Sequence, residues 1–452
     1  MPLAPVYQIA AVLPASWRRG PTYWYWKIFL RYAFRWGQER INEWQLRHLK
    51  HMVQYAWDRS VGYRAVWKDA GVSPSDLQRV SDLAYFPLIT KQQLRDSPSQ
   101  FRARQWRGCY ITTGGSTGIP FGFHVSRANL AMEAAFMHAG WERVGWRLGT
   151  LSAILRGAFV GSPENHWKYN PFYKELYLSS YYLTDSQIPT YLELFDRYRP
   201  AILQAYPSAL NLLIELLQKQ DKRLPDCIRL ILLGSENIFT WQLEKFKKFF
   251  PNATFFSWYG HAEMAILAPR CVSSNEYHPW PFYGYTEIVR PDGTPAAEGE
   301  DGELIGTSFH NYDTPFIRYR TLDGAIRSSD HCQACGHLGL SIRQIVGRNQ
   351  DFIQTSTGRL ISMAALNMHD SLFDGLYQFQ FYQEKPGAVL FRYIPKHPLQ
   401  PQEVKMITSG IKAKLGHDIE LRLEAVTDIP RTASGKHLFL DQRLNIPSRE
   451  GG

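Results

Sequence analysis

Between Ala201 and Tyr259 three short apolar runs alternate with helical stretches, and this rhythm constrains the fold more than any other feature of the chain. The runs are Ala201-Ile202-Leu203-Gln204-Ala205, Ile228-Arg229-Leu230-Ile231-Leu232-Leu233 and Ala253-Thr254-Phe255-Phe256-Ser257-Trp258-Tyr259. Between the last two, Thr240 to Phe250 has helical spacing and a basic last turn. Strand, helix and strand in this order read as α/β with a largely parallel sheet. In such sheets ligands collect beyond the carboxyl ends of the strands, where three polar clusters stand: Tyr206-Pro207-Ser208, Gly234-Ser235-Glu236 and Tyr259-Gly260-His261-Ala262-Glu263.

The flanking regions have other textures. Leu46, Leu49, Met52, Val53 and Ala56 recur at three- and four-residue spacing and predict an amphipathic helix from Gln45 to Tyr63. Ser126 to Arg143 predicts a long helix with Ser126 as its N-cap. Beyond Pro279 short β runs are punctuated by turns such as Arg290-Pro291-Asp292-Gly293. A second shift follows Gly347-Arg348 and predicts strands near Leu376–Tyr382, Ala388–Ile394 and Glu420–Val426, with a helix around Val404, Ile407, Ile411 and Leu415. The expected division is a segment 1–40, a large domain 41–347 of mostly parallel sheets with a β-rich subdomain, and a small α+β C-terminal domain 348–452.

Composition narrows the class. With 44% hydrophobic and 20% charged residues the chain is globular. Its net charge of +10 is spread along the sequence with no helix-turn-helix or single-strand-binding signature, so no nucleic-acid partner is expected; an anionic substrate or a membrane surface accounts for the charge. No run reaches the roughly 18 apolar residues that cross a bilayer, and no signal peptide is apparent, so the expected location is cytoplasmic. Five cysteines in 452 residues argue against a disulfide framework and for reduced thiols or a metal.

Near the N-terminus, Tyr23 to Trp36 interleaves aromatic residues with cations. Such a segment can lie in a headgroup interface with Arg18, Arg19, Lys27, Arg31 and Arg35 facing anionic lipid, giving peripheral membrane association. It can equally be a helix docked on its own domain, with long cationic stems covering the rim.

Thr112-Thr113-Gly114-Gly115-Ser116-Thr117-Gly118-Ile119-Pro120 packs three glycines and four hydroxyl residues into nine positions. Glycines let phosphate oxygens approach main-chain amides, and hydroxyls add rotatable donors. A Walker loop needs Lys-Ser/Thr after its last glycine; Ile119-Pro120 stands there instead, which excludes an ordinary P-loop NTPase.

In order along the chain, this loop, Tyr259-Gly260-His261-Ala262-Glu263, Tyr319-Arg320-Thr321-Leu322-Asp323, Gly347-Arg348-Asn349-Gln350-Asp351 and Pro430-Arg431-Thr432-Ala433-Ser434-Gly435-Lys436 resemble the motifs of the adenylate-forming superfamily of acyl-CoA synthetases and adenylation domains. Leu83 through Lys91, Thr314 to Tyr319 and the late cysteine pair lean toward its phenylacetate-CoA ligase and CapK-like branch. The resemblance implies that Thr112, Thr113, Gly114, Gly115, Ser116, Thr117 and Gly118 hold ATP phosphates and that Tyr259, with Gly260, lies along the adenine. It further implies that Asp323 takes the ribose hydroxyls and that Glu263, with Thr117, positions Mg²⁺. Gly234, Ser235, Glu236 and Arg348 complete the expected ATP contacts. Asp351 is the implied hinge of a mobile C-terminal lid, and Lys436 on that lid is the implied catalytic cation. Two departures stand out: His261-Ala262 replaces the usual x-Thr, and Leu322 replaces the usual glycine before the aspartate.

Chemistry gives these residue types a reason. Attack of a carboxylate on the α-phosphate of ATP gathers anions, so positioned cations are required. A carboxylate such as Asp323 accepts hydrogen bonds from two hydroxyls, and Mg²⁺ favours oxygen ligands. Separately, Cys332-Gln333-Ala334-Cys335 has zinc-knuckle spacing, with Cys271 and His278 upstream to complete a structural Zn²⁺ site and His331 as a rival fourth ligand. Cys109 and Cys227 read as packed thiols.

The expected function is ATP-dependent activation of an aryl or other compact carboxylic acid to acyl-AMP and pyrophosphate, followed by acyl transfer to coenzyme A. The alternatives are transfer to an amine or hydroxyl in polysaccharide or natural-product biosynthesis, adenylyl transfer, and a non-catalytic nucleotide-binding relative.

Overall fold

The computed structural model describes residues 18–104, 108–112, 122–156, 166–180, 183–236, 238–348, 352–358, 360–362, 373, 375–416, 418–430 and 438–444. The chain divides into two compact units. Unit 1 is Met1–Val12, Gly149–Phe255 and Val346–Ser448; unit 2 is Leu13–Leu148, Phe256–Ile345 and Arg449–Gly452.

Unit 2 opens with helix α1 (Pro21–Ala33), whose proline occupies the first turn, where a missing N–H is harmless. Helices α2 (Gln38–Arg59) and α3 (Val61–Asp69) follow. The helix expected over Gln45–Tyr63 thus starts earlier and breaks at Ser60. There the backbone turns extended (φ −112°, ψ 120°) and the serine oxygen accepts the Tyr63 amide at 3.3 Å, capping a new helix. Leu49, Met52, Val53 and Ala56 are buried, as their periodicity requires. The short helices α4 (Lys91–Asp96) and α5 (Pro98–Phe101) lead to antiparallel strands β1 (Cys109–Thr112) and β2 (Gly122–Val125). Helix α6 (Arg127–Glu142) starts at Ser126, whose hydroxyl accepts the Asn129 amide at 3.1 Å. Helix α1 docks on α6 through the buried Tyr23, Leu30 and Ala33, the Tyr23–His138 hydrogen bond (2.8 Å) and the Lys27–Glu142 ion pair (2.6 Å).

In unit 1 come β3 (Ser152–Arg156), β4 (Trp167–Asn170), β5 (Glu175–Ser179), α7 (Ile188–Tyr198), β6 (Ile202–Ala205), α8 (Pro207–Lys219), β7 (Leu230–Leu233) and α9 (Thr240–Phe249). The strands lie in the order β4-β5-β3-β6-β7. The inner four are mutually parallel, while β4 joins β5 antiparallel at the edge. All four residues of both β6 and β7 are buried, which is why these runs are apolar apart from Gln204. The third apolar run becomes β8 (Thr254–Gly260), paired antiparallel with β9 (Leu267–Pro269).

The β-rich part of unit 2 is the sheet β10 (Gly284–Val289), β11 (Asp301–Ser308), β12 (Tyr319–Arg327) and β15 (Ile342–Arg348), in that order, with the small hairpin β13 (His331–Cys332) and β14 (His337–Leu338) between the last two in sequence. The fold is therefore α/β with mixed sheets: parallel at the centre of one, antiparallel in the other. A buried ion pair anchors β12. Arg318 donates to Glu287 on β10 at 3.2 and 3.0 Å and to the carbonyls of Ala84 and Phe86 at 2.8 and 2.7 Å. Ile89 then bridges the start of the strand, donating to the Arg318 carbonyl and accepting from Arg320, both at 2.9 Å.

The remainder of unit 1 holds the pair β16 (Phe352–Gln354) and β17 (Leu360–Ser362), then β18 (Leu376–Lys385), β19 (Ala388–Pro395), α10 (Pro401–Leu415), β20 (Glu420–Ala425) and β21 (Leu440–Gln442). The last four strands order as β20-β19-β18-β21 and cover Ile407, Ile411 and Leu415 of α10. Trp241 on α9 packs near Phe379 and Phe439, joining this sheet to α9 within the unit. No helix among the described residues is long and apolar enough to cross a membrane.

Removing one partner of a buried ion pair leaves the other charge uncompensated. Glu287→Leu is therefore expected to lower unfolding free energy by about 3–5 kcal/mol, read as a fall in the urea midpoint at unchanged slope.

Candidate active site and metal centre

Strand β12 presents the first cluster. Opposite Leu304 the β11–β12 register slips, and Thr321, Leu322 and Asp323 form the bulge, with Thr321 donating to the Leu304 carbonyl at 2.7 Å. Leu322 has φ +63°, a left-handed conformation that a side chain strains by roughly 1–2 kcal/mol and that glycine adopts freely. The geometry explains the glycine usual at this position; here leucine holds the same turn, its amide tied to Glu303 at 3.0 Å. The bulge orients Asp323, which is buried and accepts a 2.6 Å hydrogen bond from the Tyr259 hydroxyl on β8. Two motifs 64 residues apart are thereby joined side chain to side chain.

Glu263 forms the second cluster. Its side chain is 7% exposed, Oε1 accepts from the Tyr319 hydroxyl at 2.7 Å, and Oε2 lies 3.1 Å from His261 Nδ1. Burial alone would raise its pKa, but the His261 contact and the Tyr319 hydroxyl outweigh burial and bring it down to about 2. The carboxylate is thus a fixed anion in a dry setting. With Nδ1 turned to Glu263, His261 Nε2 is buried and makes no hydrogen bond among the described residues. His261, at the variable position of the motif, thus supports the glutamate, while the departure itself, Ala262 in place of threonine, removes a hydroxyl beside it.

A third acid, half-buried, was not legible in the sequence. Glu133 on α6 accepts from the Tyr283 hydroxyl, and burial, partly offset by that bond and by nearby His261, pushes its pKa up to about 7. Nothing in the sequence links residues 150 positions apart; only the position of this carboxylate in mid-helix, among apolar neighbours such as Met132, Ala134 and Ala135, hinted at burial.

In unit 1, Ser235 has φ +68°, and Glu236 accepts from both the amide and the hydroxyl of Ser208 at 2.9 Å. The carboxylate therefore sits at the N-terminus of α8, where the helix dipole favours an anion. Gly234 follows the last residue of β7. Thr112 and Arg348 are described in backbone only, at the ends of β1 and β15. Thr113, Gly114, Gly115, Ser116, Thr117, Gly118, Asp351, Arg431 and Lys436 lie outside the described residues.

The metal-ligating atoms of Cys271, His278, Cys332 and Cys335 all lie within 4.8 Å of one another. His278 Nε2 is 3.3 Å from Cys335 Sγ, and its Nδ1 is 3.2 Å from the Ser341 hydroxyl, which orients the ring. His337 stacks on His278 with ring centroids 4.4 Å apart. His331 is outside the quartet: on β13 it faces solvent while Cys332 faces inward, the alternation expected of a strand. Burial raises the Cys271 thiol, yet the Ser274 hydroxyl and the Ser273 and Ser274 amides outweigh burial and lower it; burial and the neighbouring thiols push Cys335 up to about 12. Three sulfurs and one imidazole at these separations suit a tetrahedral thiophilic ion with no position left for water. Cys109 and Cys227 are half-buried and free, each packed against a hydrophobic core.

For Glu133 the folded-state pKa lies above its value in an unfolded chain, so its contribution to stability is full below about pH 4.5 and is lost as pH rises through about 7. The stability advantage of wild type over Glu133→Gln is expected to shrink by on the order of 3 kcal/mol between pH 4.5 and 7.5, measured by denaturant unfolding of both proteins.

Two family models match the chain: AMP-binding enzyme over residues 107–308 and the CapK C-terminal domain over residues 353–442. Protein CapK of Staphylococcus aureus is 21% identical over 409 residues, covering 88% of each chain. The phenylacetate-coenzyme A ligase of Escherichia coli (strain K12) is 27% identical over 296 residues, covering 63% of this chain and 67% of the relative. Among solved structures, 2-hydroxyisobutyryl-CoA ligase in the postadenylation state superposes with a TM-score of 0.71 at 19% identity over 90% of both chains, a likeness of fold.

Proposed function

We propose that this chain, which belongs to the adenylate-forming superfamily in its phenylacetate-CoA ligase and CapK-like branch and is an AMP-forming acid ligase, activates an aryl or other compact carboxylic acid with ATP and passes the acyl group to coenzyme A. A carboxylate oxygen attacks the α-phosphorus, the bond to the β-phosphate oxygen breaks, and pyrophosphate leaves with its electron pair. The CoA sulfur then attacks the acyl carbon and AMP departs.

The observation that carries the reading is Glu263, kept as a buried anion by Tyr319 and His261. An anion so placed suits a divalent cation. In this role Glu263, with Thr117, holds Mg²⁺, which neutralises phosphate charge when bound. Asp323, already oriented by Tyr259, takes the ribose hydroxyls, and Tyr259 and Gly260 lie along the adenine. Thr112 to Gly118 cradle the departing phosphates, with Gly234, Ser235, Glu236 and Arg348 around the nucleotide. Residues 41–347 form the adenylating domain and 348–452 a lid turning about Asp351, bringing Lys436 to the α-phosphate for the first step and removing it for the second. ATP and CoA place the reaction in the cytoplasm.

A second acceptor is favoured by one observation: CapK matches a larger share of this chain, 88%, than the phenylacetate-CoA ligase does, 63%. On that reading the acyl-AMP meets an amine or hydroxyl in place of the thiol. Incubation with acid, ATP and either CoA or amino sugars separates the two by product: thioester or amide.

The decisive experiment is acid-dependent exchange of labelled pyrophosphate into ATP across a panel of carboxylic acids. Exchange is expected with at least one acid and should fall roughly 100- to 1,000-fold in Lys436→Ala; no exchange with any acid would falsify the reading. The quartet Cys271, His278, Cys332 and Cys335 we assign to a structural Zn²⁺. Purified protein is expected to carry about one zinc per chain, and a chelator or Cys332→Ser to lower the melting temperature. Metal-free protein of unchanged melting temperature would exclude zinc.

A further inference from the structure

Helix α1 uses only part of its circumference to dock on α6. Tyr23, Leu30 and Ala33 are buried, whereas Tyr25, Ile28 and Tyr32 are 62%, 57% and 61% exposed. At 3.6 residues per turn, Pro21, Tyr25, Ile28 and Tyr32 fall within an arc of about 60°. Large apolar side chains aligned on one outward face differ from single exposed hydrophobics, which need no explanation.

Charge along this part of the sequence has one sign. The first 38 residues carry five cations, Arg18, Arg19, Lys27, Arg31 and Arg35, and no carboxylate; the next acids are Glu39 and Glu43 on α2. Lys27 is taken up by Glu142 beneath the helix. Arg31 and Arg35 are exposed, Arg31 on the helix to one side of the stripe and Arg35 in the turn just beyond its end. An apolar stripe edged by guanidinium groups matches a layer that is hydrocarbon below and phosphate above, and it mismatches a neutral protein surface. At 13 residues α1 is about 20 Å long, too short to span a bilayer. A helix of this kind lies in the plane of the surface.

We propose that the outward face of α1, formed by Tyr25, Ile28 and Tyr32 and bordered by Arg31 and Arg35, docks the protein on the surface of an anionic phospholipid bilayer. Tyrosine suits this depth because its ring enters the acyl boundary while its hydroxyl stays among the headgroups. Burial of the opposite face by α6 keeps the stripe turned outward. None of these five side chains belongs to the nucleotide or metal clusters, so docking and adenylation are separable.

Flotation of the full chain with vesicles of phosphatidylcholine containing about a third phosphatidylglycerol tests the proposal, with pure phosphatidylcholine vesicles as the comparison. Wild type is expected to float with the anionic vesicles and to be released as salt is raised. The variant Tyr25→Ser/Ile28→Ser/Tyr32→Ser should lose roughly tenfold or more in partitioning, and Arg31→Glu/Arg35→Glu should lose the preference for anionic lipid. Circular dichroism and the melting temperature should match wild type in both variants, because the altered positions face outward. The proposal is overturned if wild type stays at the bottom of the gradient, or if the triple variant floats as wild type does. It is also overturned if wild type is a lipid-independent dimer by sedimentation that the triple variant dissociates, since the face then belongs to a second copy.

Discussion

The guanidinium of Arg318 is the constraint from which the geometry of unit 2 follows. A cation with a 3% exposed side chain must be met on every side, and it is: by Glu287 on one edge and by two main-chain carbonyls on the other. Burial raises the Glu287 pKa, and Arg318 opposes that shift, so the two charges sustain each other. Because Arg318 immediately precedes β12, the pair sets where that strand begins. The next residue, Tyr319, reaches Glu263, and four residues on Asp323 meets Tyr259. A structural ion pair thus fixes two contacts, Tyr319 to Glu263 and Tyr259 to Asp323, on which the proposed nucleotide site rests.

The unit also separates its acids by environment. Glu263 is held far below the ordinary carboxylate range by His261 and Tyr319, while Glu133, buried against the Tyr283 hydroxyl, is raised toward neutrality. Both are desolvated and both accept a tyrosine hydroxyl; the direct contact with His261, made by Glu263 and not by Glu133, decides which is held charged. His261 is near both, bonded to one and interacting at longer range with the other. His261 therefore takes part in setting the charge pattern of this region.

Legibility in the sequence followed physical locality. The fully buried runs β6 and β7 and the partly buried run β8 were readable as strands, and Ser126 as a cap, because those signals are contained in a few neighbouring residues. The Cys/His quartet was readable because Cys332 and Cys335 share one turn, and β13's alternation explains why His278, and not His331, lies beside them. The Ser60 break was missed because apolar periodicity continues through it while the backbone does not. Arg318–Glu287 and Glu133–Tyr283 were invisible, since a charged residue destined for burial looks like a surface residue until its distant partner is known. Leu322 was noticed as a departure, but that its φ is positive, and why glycine is usual there, required the bulge.

Tyr23 and His138 have a consequence for timing. Burial holds His138 neutral down to about 2, so the joint between α1 and α6 carries no proton switch in any physiological range. Helix α1 is folded and oriented before it meets anything. Segments that coil in solution and become helical on contact lose conformational freedom at that moment, and their residence reflects folding as much as adhesion. A helix already seated on its own domain loses little, so arrival and departure track ionic strength, surface charge and the apolar area inserted, without a folding step, and visits are rapid and repeated in place of a single slow commitment.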